Sequence, residues 1–508
     1  MRVYGYLLAL LAVAAPLHTY DPVGAVRAAD SDAARLTPGD APYQRYLVLP
    51  HKDEDLPRAR LVQKLHWNKL SRHKSMGTPT QVSPRLLRID LRDYKLPATV
   101  WEQFAAHDVY FHSKKTYVVE SVIQQYWPGG VDPKDKKHYA RGAVKVTVGK
   151  GGSVDAPAYY LPQEMMDRLR ACLITEVPIV NAQWALVQSA RDISIRNQRE
   201  GAGYRDFLQF QNRDEYFDLV GIDKKETNKR LLELRAFVPV SGISQQGRFA
   251  ESANGVGGWG MFTLDTFREQ GRGVGKRNLR RAEFVPDAER HIFPLPNGLP
   301  GNALFDGKGL SQDSAPDQLG PDDSPHRVGK DGRVHNGISC ERCHGARNKA
   351  WEYVIPLKDW ARKHFTKGRA LTDPDKKVEL ELRAQFLEDI ERPLKLAREN
   401  FRHAYGKATG LSVYEACTLY CQEWNDYVER PVTLEVASRE LGTTPEKFLL
   451  ALKAYQKVKG QIDNVLAGFL DDSPEPLTRL EWEDTYQFAM SILLGIVPPD
   501  IARKQKVK

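Results

Sequence analysis

The chain is poor in cysteine, with five in 508 residues: Cys172, Cys340, Cys343, Cys417 and Cys421. So few cannot staple a disulfide scaffold. Long apolar runs are missing too. Past the N-terminus nothing approaches the roughly 20 apolar residues that cross a bilayer, so no membrane span is expected beyond the first residues. There is no tandem repeat, which sets repeat architectures aside. GRGVGKRN, Gly271 to Asn278, has glycines and basic residues without the full phosphate-loop spacing and reads as a flexible basic loop. Asp322-Asp323 and Asp471-Asp472 stand in polar stretches with no metal-ligand pattern. No Ser-His-Asp arrangement can be argued from residue order.

What is present is ordinary for a folded chain: 41% hydrophobic and 27% charged residues, with 18 Phe, 21 Tyr and 9 Trp to build cores. The length suits two to four domains. A net charge of +9 suits an acidic protein partner, although charges of both signs are scattered along the chain as on a solvated surface. At the start, Arg2 precedes an apolar run from Leu7 to Leu17, and Val26-Arg27-Ala28 offers a cleavage site. Residues 1–28 therefore read as a secretory signal peptide. A retained membrane anchor and a buried N-terminal helix are the alternatives. The mature protein is expected in the periplasm or outside the cell, where nucleic acid is a poor partner. LEVASRELGTTPEKFLLALK, Leu434 to Lys453, has the outline of a helix-turn-helix but reads as a helical hairpin in a bundle.

Residues 29–237 read as a mixed α/β region. Arg45 to His51 suggests a strand and turn, Lys52 to Lys74 a helix, and LLRIDLRDY, Leu86 to Tyr94, a strand. A helix follows from Thr99, its expected N-cap. Strands are expected at Tyr117 to Tyr126 and Ala143 to Val148, and helices at Pro162 to Cys172, Ile179 to Ser189 and Tyr204 to Phe217. Residues 238–370 read as the region that carries the chemistry, in Cys340 to His344; from Val238 to Arg333 they are dense in Gly and Pro, with strands expected in GVGGWGMFTLDTF and around the loop of HIFPLPNGLPGNALFDGKG. Residues 371–508 read as helical. Lys376 to His403 carries Pro393 as a kink or break. Leu411 to Tyr427, Leu434 to Leu441, Pro445 to Val458 and Thr478 to Leu494 follow. Thr478 with Glu481 makes a capping box. The expected fold class is α+β, mainly helical.

One segment concentrates chemistry: CERCH, Cys340 to His344. A redox dithiol would sit on a strand-to-helix turn of a small α/β domain, and no such alternation surrounds this one. Structural zinc needs about four ligands. CERCH offers three and no second Cys-x-x-Cys pair exists, so His335 or His364 would have to complete a set. Covalent haem uses every residue. Each thiol adds to one vinyl group of the porphyrin, and the adjacent histidine reaches the iron as proximal ligand. Haem c is thus the expected cofactor, attached at Cys340 and Cys343 with His344 on iron; zinc stays open. One haem is expected, because Gln422 follows CTLYC (Cys417 to Cys421) where histidine would be needed.

No methionine lies between Met261 and Met490, which excludes a small Met-ligated module built from the residues after His344. His364 is the leading candidate for the distal ligand. His291, His326, His335, Met261, Met490 and an open position are the others. Trp351, Tyr353 and Trp360 suit a porphyrin wall or an ordinary helical core. Cys417 and Cys421 share one face of an expected helix. Either could bond Cys172, or both are buried thiols.

LPNGLPG, Leu295 to Gly301, followed by a polar loop and VHNGISCERCH, Val334 to His344, resembles a family of large secreted bacterial c-type haem proteins, cytochrome c-like and mostly uncharacterised. LRIDLRDY with VWEQF, and VTLEVASRELGTTPEKF, are similar to flanking blocks of that family. The resemblance spans most of the mature chain. It implies one covalent haem at Cys340, Cys343 and His344, and no particular reaction. The family box often continues with Ser and Arg-Gly; here Gly-Ala-Arg-Asn follows His344. The expectation is one-electron transfer to an unidentified redox partner protein, acidic if charge guides it. A peroxidase-like oxidoreductase, with His364 or Arg347 as acid-base group, and a redox or gas sensor are the alternatives.

Overall fold

The computed structural model describes residues 20–111, 115–119, 144–148, 154–155, 177–190, 202–222, 235–238, 248–265, 287–315, 334–347, 355–356, 391–459, 464–471 and 473–493. They build a mixed α+β fold, mainly helical, as the sequence pattern suggests. The expected features at Pro162 to Cys172, Gly271 to Asn278, Asp322-Asp323 and Asp472 lie outside these residues. So do Cys172, His326, Trp351, Tyr353, Trp360 and His364.

The first described helix, α1 (Pro22–Ala33), begins on proline, whose missing N–H costs no helical bond there. Tyr20, Ala25, Val26 and Ala29 are buried in the main core. The stretch around the expected cleavage site therefore packs as a buried helix. β1 (Gln44–Val48) follows, then α2 (Leu56–Lys69), β2 (Thr80–Ser83) and β3 (Leu86–Asp90). The strand expected through Tyr94 stops at Asp90, whose carboxylate accepts from the Arg92 N–H and caps a short helix, α3 (Leu91–Tyr94). The next helix, α4 (Ala98–Ala105), has Pro97 and not Thr99 at its N-cap. A separate three-stranded sheet holds β4 (Lys115–Val119), β5 (Val144–Val148) and β6 (Val154–Asp155).

Ile179 to Ser189 is not helical throughout. Ile179–Asn181 is a strand, β7, paired in parallel with β1 to complete a four-stranded sheet in the order β2-β3-β1-β7. Asn181 then caps α5 (Ala182–Ser189), its Oδ1 accepting from the Gln183 and Trp184 N–H groups. Two short helices, α6 (Tyr204–Leu208) and α7 (Arg213–Val220), replace the single weak helix of the sequence pattern.

The Gly/Pro-rich middle forms an antiparallel sheet of six strands in the order β12-β11-β10-β9-β8-β13. These are β8 (Arg235–Val238), β9 (Arg248–Gly255), β10 (Gly258–Asp265), β11 (Ala288–Pro294), β12 (Pro300–Asp306) and β13 (Ile355–Pro356). Alternation splits their side chains between two faces. Phe262, His291 and Phe293 share one face and meet Tyr216 and Phe217 of α7. Met261, Ile292 and Asn302 lie in one row across the other face. The turn between β11 and β12 is LPNG, with Gly298 at φ 87°, a conformation that favours glycine. Asn297 on that turn donates from Nδ2 to the Asn68 carbonyl at 2.7 Å, tying the sheet to the end of α2.

A short helix, α8 (Ile338–Glu341), continues as a π-helical turn over Arg342–Arg347. The C-terminal helices are α9 (Glu391–Thr409), α10 (Val413–Val428), α11 (Leu434–Glu440), α12 (Pro445–Lys459), α13 (Asn464–Ala467) and α14 (Arg479–Leu493). Pro393 lies within α9, which runs on past it to Thr409. The capping box at Thr478 and Glu481 is present, with Thr478 Oγ1 donating to Glu481 Oε2 at 2.8 Å. Trp67, Trp101, Trp424 and Trp482 are fully buried in the core that joins these helices to the first sheet.

Candidate functional site

The CERCH segment enters from a fixed anchor. His335 bridges to Ser314, and its N–H donates to Ser339 Oγ at 3.0 Å. The Asn336 N–H donates to the Asp313 carbonyl at 2.9 Å. Gly337 takes φ 80°, and a side chain there would press on the Ala190 carbonyl. From that turn α8 starts. Ser339, Glu341 and Arg342 are buried, whereas Cys340, Cys343 and His344 are all partly exposed. The helical turn therefore sorts the motif. Cys340, Cys343 and His344 stand at partly exposed positions, although the Cys340 thiol itself is buried, and Glu341 and Arg342 between them are buried.

Cys340, His344 and Gly345 form one side of a small cavity of about 20 Å³. Ile292 of β11 and Pro300 of β12 form its floor, from the face of the sheet that carries Met261. Phe401 of α9 and Val413 at the start of α10 add apolar wall. Asn302, Tyr405 and Glu341 contribute the polar groups. That is room for about one water molecule, far below the size of a small-molecule pocket.

Glu341 is the centre of a buried polar cluster. Lys69, at the end of α2, pairs with Glu341 Oε1, and the two side chains are 4% and 3% exposed. Tyr405 OH donates to Oε2. Asn302 Nδ2 donates to Oε1 at 3.1 Å, and Cys417 Sγ donates to Oε2 at 3.4 Å. The Lys69 ammonium also sits over the Tyr405 and Tyr420 rings, 5.8 and 5.7 Å from their centroids. One turn back on α2, His66 bonds Tyr420 OH at 3.0 Å and Ser189 Oγ at 2.7 Å. Burial, and then the charge of Lys69, push the His66 pKa down to about 3.

Helix α10 covers the π turn. Cys417 packs directly on Gly345, and Cys417 and Cys421 are buried thiols, neither in a disulfide. Burial raises both above the usual thiol range. Cys340 and Cys343 are likewise not disulfide-bonded. Burial, together with the neighbouring Cys343, pushes the Cys340 thiol up to about 12.

These facts weigh the three readings of the motif. A redox dithiol needs a thiol biased toward thiolate, and Cys340 is biased the other way. A zinc ion needs donors converging on one point. Among the described residues no three His, Cys, Asp or Glu side chains gather closely enough to hold a metal ion. Covalent haem asks for less convergence, because only the histidine touches iron while the thiols bond the ring edge. The donor set is the one that group takes: two thiols outside any disulfide and an adjacent histidine.

The other expected ligands are scattered. His291 is buried on the opposite sheet face, its Nε2 2.9 Å from Glu289 Oε2 and its ring stacked on Phe262. His335 is buried in the entry turn, and Met490 is buried within α14. Met261 is buried on the cavity face of β10, next to Ile292. The Lys69–Glu341 pair is what sequence reading missed; a glutamate inside Cys-x-x-Cys-His carries no signal of burial. No family model, no curated protein and no solved structure matches this chain.

Proposed function

We propose that the protein is a single-haem, c-type cytochrome-like carrier that moves one electron at a time. Haem c would be bonded to Cys340 and Cys343, with His344 as the proximal iron ligand. The reading is carried by Cys340, Cys343 and His344 standing together on one partly exposed turn with neither thiol in a disulfide. A ring attached there would be held next to the protein surface, where a partner could dock. When bound, haem supplies one-electron cycling of its iron.

The chain's own residues would set the conditions. Ile292, Pro300, Phe401 and Val413 would help keep water from an attached ring, and restricted solvent access is one of the levers on haem potential. Covalent attachment suits an exported protein, since the cofactor cannot be lost by dilution. The apolar run from Leu7 to Leu17 supports export to the periplasm or beyond. A net charge of +9 favours an acidic redox partner. His364 remains the proposed distal ligand.

The test is an optical spectrum of the protein exported with haem-maturation machinery, reduced with and without carbon monoxide. A low-spin spectrum unmoved by carbon monoxide is the expected result. Carbon monoxide binding would turn the reading toward catalysis or sensing.

A further inference from the structure

A buried ion pair is costly. Taking both charges out of water is repaid only where the geometry is good and further hydrogen bonds satisfy the remaining groups. Glu341 meets that condition through Asn302, Tyr405 and Cys417, whereas the buried Lys69 ammonium has Glu341 as its ion-pair partner and no hydrogen-bond partner among the described residues. The cost of the pair therefore falls at one place, inside the CERCH turn. The partners of Glu341 come from far along the chain. Lys69 ends α2, Asn302 sits in β12, Tyr405 in α9 and Cys417 in α10. One carboxylate thus ties the turn to four separate elements of the fold. Both Glu341 and His344 line the same cavity.

From this we infer that Lys69 and Glu341 act as a charge-compensated anchor, which fixes the orientation of the haem-attachment turn and sets the electrostatic potential at its iron. They are positioning residues, acting through Cys340, Cys343 and His344. The inference rests on the haem reading above. A negative charge beside the iron favours its oxidised form and a positive charge its reduced form, more strongly in a low-dielectric site than in water. With both present the two effects oppose one another. Removing either one alone exposes the other.

The experiment compares the full chain with Glu341→Gln, Lys69→Gln and the double variant, all exported with haem-maturation machinery. Intact mass under denaturing conditions comes first. A wild-type chain without haem overturns both the haem reading and this inference. With the wild type loaded, the midpoint potential should rise in Glu341→Gln, fall in Lys69→Gln and return toward wild type in the double variant. Shifts of the same sign, or no shift, overturn the anchor while leaving the haem reading intact. If the charge variants do not fold, Tyr405→Phe removes only a hydroxyl donor to Glu341. It should lower the potential by less than Lys69→Gln would. An unchanged potential in Tyr405→Phe would then overturn the inference.

Discussion

Gly345 packs its backbone against Cys417 with no room for a side chain: a Cβ built on Gly345 would overlap Cys417 Sγ and lie 2.6 Å from Cys417 Cβ. The residue after the CERCH histidine is therefore held flush against α10. Gly345→Ala should destabilise the fold by about 1–3 kcal/mol, the usual range for overpacking. Urea unfolding of the two chains measures it. Adding Cys417→Ala should restore part of the loss and not all of it, because the Cys417 Cβ remains. A Gly345→Ala variant as stable as wild type would mean that the two helical turns are not in contact.

A second buried pair, remote from the cavity, should behave as a structural element alone. Arg479 Nη1 lies 2.8 Å from Glu440 Oε2, and that oxygen also accepts from Trp482 Nε1 at 2.8 Å and Tyr110 OH at 3.1 Å. Arg479→Met leaves a buried carboxylate without its cation and is expected to cost about 3–5 kcal/mol. Combining it with Glu440→Gln should cost less than the sum of the two single changes. Strict additivity in the unfolding free energies would refute the pairing. Neither change should move the spectrum of a loaded haem.

His66 makes stability depend on pH in a defined direction. Its folded pKa is held near 3 by burial and by Lys69, against about 6.5 in the unfolded chain. Between those values the unfolded chain binds a proton that the folded chain refuses. Stability contributed by His66 is therefore lost as pH falls through that window, by roughly 1.4 kcal/mol per unit at most. In His66→Gln the slope of unfolding free energy against pH from 6 to 4 should be shallower by about that amount. Parallel slopes in the two chains would contradict the buried neutral imidazole.

The N-terminal helix should be needed for stability. Starting the chain at residue 29 removes Tyr20, Ala25 and Val26 from the core, whereas starting it at Tyr20 keeps them. A fully buried large side chain contributes about 1.5–3 kcal/mol. The shorter chain should melt at a clearly lower temperature than the longer one. If the exported protein is cleaved, N-terminal sequencing should place the cut before Tyr20. Equal melting temperatures would show that α1 is dispensable.

Much of the candidate site could be read from the sequence because covalent attachment needs strictly local spacing. Cys340, Cys343 and His344 are neighbours in the chain and can be recognised as such. Glu341 is different. Its partners at positions 69, 302, 405 and 417 are assembled only by folding, and no periodicity announces them. The same contrast runs through the fold. The strands around LPNG and the C-terminal helices follow from turn chemistry and helical periodicity. Ile179 to Asn181, a short apolar run, suits helix or strand equally. It becomes a strand because β1 offers a parallel edge. Thr99 carries good capping chemistry, yet Pro97 holds the extended backbone that starts α4. The shared face of Cys417 and Cys421 is legible in their spacing, but not that the CERCH turn packs against Cys417.

The most direct test of the central claim is the intact mass, under denaturing conditions, of the chain exported with haem-maturation machinery. The account predicts one haem that stays with the polypeptide after unfolding and is absent from a Cys340→Ala, Cys343→Ala variant. A wild-type chain at its apo mass, or a haem that dissociates on unfolding, would contradict it.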